Sequence, residues 1–177
     1  MSLRDTIKEK HDKAEQHRFV KLLFSGNIPT EVYADFLFNQ FLTYSKLETL
    51  ADHYGLLAEI EPIKRAALME EDLMELGQTA MFHPSTSKYL GYLDTVPREK
   101  LMAHIYVRHF GDMYGGQMLK KVVPTRGRMY EFEDRAGLIA KVRERLTDDL
   151  GDEANKAFDF VLELFDELAN AYDIPAT

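Results

Sequence analysis

Residues Tyr106 to Lys121 read YVRHFGDMYGGQMLKK, and this stretch decides the fold. It lies between apolar segments of helical period, with Ile105, Met113, Met118, Leu119 and Val122 as its own apolar positions and no Pro before Pro124. Helix is therefore the expectation. Yet it contains Gly111, Gly115 and Gly116. Each mid-helix Gly costs roughly 1 kcal/mol relative to Ala. Gly111 and Gly115 are four apart and share a face, so one side of the helix carries no side chains. Arg108 and Asp112 are also one turn apart, beside that bare strip. Two uses suit such a face. One is a close helix crossing with Gly as spacer; the other is a planar ligand lying on the backbone.

Working outward, the amino-terminal segment 3–16 reads as an amphipathic helix. Leu3, Ile7, His11 and Ala14 form one stripe, and Arg4, Lys8, Lys10, Asp12, Lys13 and Glu15 lie off it. His11 is thus expected to face inward. A histidine so placed is either a satisfied core residue or a ligand.

Taken together, these two segments resemble the heme oxygenases. Tyr106, Arg108, Gly111, Asp112, Gly115, Gly116 and Gln117 match the distal-helix pattern Y-x-R-x-x-G-D-x-x-G-G-Q. Lys8, His11, Ala14 and Glu15 match K-x-x-H-x-x-A-E, the pattern around the family's iron-binding histidine. A shorter match, Y-x-x-L-E at Tyr44 to Glu48, resembles a segment whose Tyr joins the distal polar network.

The rest of the chain reads as helix and turn. Phe19–Leu23 is a short apolar segment, and Ser25 to Pro29 is a turn. Thr30 is expected to cap an aromatic-rich helix over about 31–56. Helices are expected over 63–76, stopped by Gly77, near 86–93, and over 98–122, opened by Pro97. The last two should cover 130–149 and 153–172, separated by Gly151-Asp152. No stretch alternates as a strand with hairpin turns. The expected fold is all-α, one domain over 1–177 with seven or eight helices and heme between the first and the Gly-rich helix.

Composition narrows the function. The chain has 177 residues, enough for one substantial core, and a net charge of −8, which argues against nucleic acid as partner. It has no Cys, so thiolate nucleophiles and thiolate metal sites are excluded. That also counts against a thiamin-degrading enzyme of similar fold. None of the six His has Glu three residues earlier, against the Glu-x-x-His pairs of di-iron helical oxidases. No apolar run approaches a membrane span of about 18 residues. The start lacks the apolar core of a signal peptide, so a cytoplasmic setting is expected.

The resemblance implies the rest. The cofactor, also the substrate, would be heme b, opened by O2 and reducing equivalents to biliverdin, carbon monoxide and ferrous iron. His11 would bind iron, with Glu15 orienting its ring. Arg4, Lys8, Tyr106 and Arg143 would meet the propionates, and Phe158 on the last helix would line the heme. Gly111, Gly115 and Gly116 would give it clearance. Asp112 would hold a water near the oxygen, with Arg108 and Tyr44 fixing that network. Lys120, Lys121, Arg126 and Arg128 form a basic cluster, read either as a solvated helix end or as a dock for an acidic electron donor such as a ferredoxin. The chain departs from the family at Ile139 (often Lys), Val161 (Asn) and Tyr114 (often Ser). A heme carrier or sensor without turnover is the alternative.

Overall fold

The computed structural model describes residues 1–176, and among these the regular elements are all helical. Eight α-helices follow in order: α1 (Leu3–Glu15), α2 (Arg18–Phe24), α3 (Thr30–His53), α4 (Ala66–Leu76), α5 (Pro84–Leu93), α6 (Met102–Val122), α7 (Arg135–Arg143) and α8 (Gly151–Ala171).

Their ends follow local chemistry. The Ser2 side chain accepts from the Asp5 backbone N–H and caps α1. Gly77 closes α4 in the left-handed region at φ 61°, where other residues are strained. Three expectations shift. Pro29, not Thr30, is the residue before α3, and the Thr30 hydroxyl instead accepts from Gln78. The segment expected as one helix over 130–149 contains only α7, flanked by 3-10 turns at Arg128–Tyr130 and Asp148–Leu150. Gly151, expected as a break, is the first residue of α8. A Cβ there would stand 2.6 Å from the Thr6 side chain, so this glycine lets α8 approach α1.

α8 is the hub. It packs on α1, α2, α5 and α6, while α3 packs on α4 and α5. Ala154, Ala157, Phe158, Phe165 and Leu168 form its buried stripe. α1 and α6 are thus held by a common neighbour rather than by each other, and this spacing positions the site. α3 is buried nearly all round, and buries Asp35, Asn39, Gln40, Thr43 and Glu48 with its aromatic residues. Polar groups at that depth require partners. No helix among the described residues is long and apolar enough to cross a membrane.

Candidate functional site

The site is built on α6. Its glycines, alike in sequence, have different surroundings. A Cβ at Gly111 would meet nothing within 4 Å. At Gly115 it would sit in ordinary contact with the Phe24 ring edge, at 3.6 Å. At Gly116 it would come within 2.7 Å of the Tyr130 ring. Gly116 therefore serves as a spacer against the 3-10 turn at Arg128–Tyr130. The open face runs instead along Gly111, Tyr114, Gly115 and Met118, with Tyr114 and Met118 51% and 67% exposed.

Behind the open face lies a buried polar cluster. The Tyr44 hydroxyl lies 2.6 Å from Asp112 Oδ2 and 3.0 Å from the Arg108 carbonyl oxygen. Burial pushes the Asp112 carboxyl up to about 6, against the lowering effects of the Tyr44 hydrogen bond and of His109, Arg65 and Arg108. Burial likewise raises the Tyr44 phenol well above its usual value, and the Asp112 charge adds to this. The Arg108 guanidinium acts on Asp112 through its charge and makes its contacts elsewhere. It donates to Gln40 Oε1 at 3.1 Å and lies over the Tyr89 ring at 4.8 Å. Its Nε is buried without a partner.

A second layer supports this one. Glu48 accepts from the backbone N–H groups of Arg65 and Ala66, so it caps α4, and it lies 2.9 Å from His109 Nε2. The His109 ring lies 4.7 Å from that of Tyr44, and its Nδ1 is buried without a partner. Sequence reasoning missed Gln40, Arg65, Tyr89 and His109, and gave Glu48 no role beyond the Y-x-x-L-E match. For two of them a signal existed. Gln40, Tyr44 and Glu48 are spaced four apart, a polar ladder on a helix otherwise read as aromatic core.

On the opposite side is α1. Leu3, Ile7 and Ala14 are buried as expected, but the His11 side chain is 45% exposed. Its ring stands edge-on to Phe158 of α8, centroids 6.0 Å apart. The remaining stripe is covered by α8, whereas no helix closes over His11. Its Nδ1 is 3.4 Å from Asp12 Oδ1 and its Nε2 is 3.8 Å from Glu15 Oε1. The latter is too long for a hydrogen bond, so Asp12, not Glu15, is the nearer carboxylate. Lys8 is paired with Asp12 at 2.6 Å, which with the His11 contact lowers the Asp12 carboxyl.

At the rim, burial raises the half-buried Tyr106 phenol, while Arg4 and Arg143 pull it down. Tyr106 thus lies within electrostatic reach of cations from α1 and α7. Tyr114, where the resemblance expects Ser, accepts a hydrogen bond from Arg143. Arg143 also lies 5.9 Å from the Phe110 ring centroid. Ile139 and Val161 pack against the core. The basic cluster is largely neutralised: Lys120 pairs with Glu131 at 3.2 Å, Arg126 with Glu131 at 3.5 Å, and Arg128 with Asp72 and Glu75 at 2.9 and 2.6 Å. Lys121 is exposed.

The helical frame thus carries an open glycine face with a buried carboxylate behind it, and an imidazole on a separate helix. The heme oxygenase family profile matches residues 1–167, and the chain belongs to that family. It is 30% identical to heme oxygenase 2 of Oryctolagus cuniculus, over 99% of this chain and 67% of that one. Heme oxygenase of Guillardia theta is 29% identical, over 97% of this chain and 86% of the relative. The chain spans about two thirds of the length of the mammalian relatives it matches. Among solved structures, heme oxygenase-1 of Synechocystis sp. PCC6803 in complex with heme superposes with a TM-score of 0.80 at 25% identity, covering 97% of this chain and 94% of that one. Heme oxygenase of Leptospira interrogans gives 0.82 at 25% identity, covering 94% and 100%.

Proposed function

We propose that this chain, acting as one domain, binds heme b between α1 and α6 and cleaves it with O2 and reducing equivalents to biliverdin, carbon monoxide and ferrous iron. The observation that carries this reading is Asp112: a buried carboxylate tethered to Tyr44, one residue from a glycine whose Cβ would meet open space. A carrier or sensor needs the imidazole and the clearance, but has no use for a carboxylate kept dry at that cost.

The residues fit the group. His11 offers an imidazole nitrogen on a half-open ring beside Phe158. Gly111 and Gly115 leave clearance for a flat ring. Arg4, Lys8 and Arg143 supply cations for two propionates, and Tyr106 supplies a hydroxyl beside them. Heme bound here supplies the iron that takes up oxygen and electrons, and its own ring is what is cleaved. With Oδ2 taken by Tyr44, Asp112 Oδ1 is the oxygen left to hold a water on the Gly111 side. At neutral pH a group titrating near 6 is ionised, and so accepts rather than donates. Arg108, braced by Gln40, keeps a positive charge beside Asp112 without pairing with it.

The electron donor we infer is an acidic protein such as a ferredoxin. Support comes from Lys120, Lys121, Arg126 and Arg128 at the end of α6, tempered by Asp72, Glu75 and Glu131 around them. Docking there would rest on Lys121 and on exchange of the existing ion pairs. A cytoplasmic site of action fits this reading, since the chain carries no Cys for an oxidising compartment to pair.

The test is a heme titration followed by donor-driven turnover with the product identified. Loss of the heme absorption with release of biliverdin is expected. Stoichiometric uptake of heme that stays intact under reductant and O2 would establish the carrier instead.

A further inference from the structure

A second buried line of groups starts at Arg108. The Arg108 guanidinium lies over the ring of Tyr89, which is 1% exposed. Tyr89 Oη is 2.6 Å from His104 Nδ1, and His104 Nε2 is 2.8 Å from Glu153 Oε2. The Tyr92 hydroxyl donates to that same oxygen at 2.6 Å. Phe160 stacks on Tyr89 at 4.4 Å and lies 5.3 Å from Tyr92. Tyr92 reaches the surface, whereas His104 is wholly enclosed.

The protonation states follow from these contacts. Burial holds the His104 pKa down, so the ring is neutral. The His104 hydrogen bond holds Glu153 below the usual carboxylate range. A carboxylate only accepts, so Nε2 carries the hydrogen, Nδ1 presents its lone pair, and Tyr89 donates to it. Each phenol therefore ends on a base. Burial makes a free phenolate costly at Tyr89. A phenol that gives up an electron becomes strongly acidic, and it loses that electron readily only where a base takes the proton at once. Here such a base is 2.6 Å away.

We propose that Tyr89 and Tyr92 are a redox-active pair, carrying a one-electron oxidising equivalent from the heme site to the surface. The oxidant is a peroxide-oxidised heme, and in this the proposal rests on the function proposed above. In the first step one electron leaves Tyr89 for that oxidant, and its Oη proton moves to His104 Nδ1. In the second, Tyr92 passes one electron to the Tyr89 phenoxyl and its own proton to Glu153, while the Nδ1 proton returns to Tyr89. The radical then sits on Tyr92. A soluble one-electron reductant such as ascorbate restores it, with the proton coming back from Glu153. The pair so protects the distal residues when oxidation goes astray.

The test uses two oxidants on the full chain and reads freeze-quenched electron paramagnetic resonance. One is hydrogen peroxide on the heme-loaded protein. The other is flash-oxidised tris(bipyridine)ruthenium on the heme-free protein, which needs no heme. Wild type should give a tyrosyl radical with an exchangeable-hydrogen coupling from its hydrogen bond. The Tyr89→Phe and Tyr92→Phe double variant, checked for helical content by circular dichroism, should lose that signal with both oxidants. If the ruthenium signal depends on the pair while the protein fails to take up heme, the heme reading falls and the redox pair stands. A double variant with the yield and line shape of wild type under both oxidants would place the radical elsewhere, on exposed Tyr114 for example, and overturn the proposal.

Discussion

Tyr44 and Asp112, 68 residues apart, share a hydrogen bond of 2.6 Å in the interior, and through it α3 fixes the carboxylate of α6. The contact fixes the position of the Asp112 carboxylate and works against the rise in its pKa that burial causes. Its carboxyl titrates near 6 because burial outweighs Tyr44 and the nearby cations.

A pH-dependent stability follows from that carboxyl. Its folded pKa lies above the ordinary aspartate value, so its favourable contribution is full below about pH 4 and is lost as pH rises through about 6. The ionised form then costs roughly 3 kcal/mol, from about two pKa units. Asp112→Asn should match wild type near pH 4 and exceed it by up to roughly 3 kcal/mol at pH 7 to 8. Urea unfolding of both proteins across this range checks it. The same variant should take up heme yet release far less biliverdin. A constant stability difference across the range would remove the unusual acidity of Asp112.

Gly111 and Gly116 should respond oppositely to Ala. Gly116→Ala forces Cβ to within 2.7 Å of the Tyr130 ring and should destabilise the chain by about 1–3 kcal/mol. Gly111→Ala meets open space and should stabilise the heme-free helix by about 0.5–1 kcal/mol. It should also weaken heme binding, because the added methyl intrudes where the ring lies. Thermal melts with and without heme separate the two effects. Equal destabilisation by both changes would contradict the open face.

Glu48 is expected to matter more for folding than for chemistry. Its carboxylate serves two backbone N–H groups at the start of α4 and the buried His109. Glu48→Ala leaves all three without that partner and should cost about 2–4 kcal/mol. Denaturant midpoints measure this. An unchanged midpoint would show that water replaces the carboxylate there.

The helices were legible where period and punctuation agreed. α1, α4 and α8 follow from apolar spacing, with Gly77 as the stop of α4, and the α6 motif singled out Asp112 and Gly111. What was hidden depended on tertiary neighbours. Gly116 reads like Gly111 until Tyr130, from a turn beyond the helix, is placed against it. His11 fits an apolar stripe, but whether the stripe is covered at that turn depends on α6 standing off from α1. Glu48 and His109 lie 61 residues apart, and neither reveals its partner locally. Gly151 looked like a stop because local propensity says so, whereas close approach to Thr6 is what it serves.

A heme held between α1 and α6 requires His11 to face the same ring as Gly111, and the heme spectrum of His11→Ala tests this directly. Wild type should bind one heme with the absorption and iron–histidine stretch of an imidazole complex. His11→Ala should lose that stretch and stop releasing biliverdin, and added imidazole should restore the spectrum. An unchanged iron–histidine stretch in His11→Ala would place the iron on another residue and contradict the site proposed between α1 and α6.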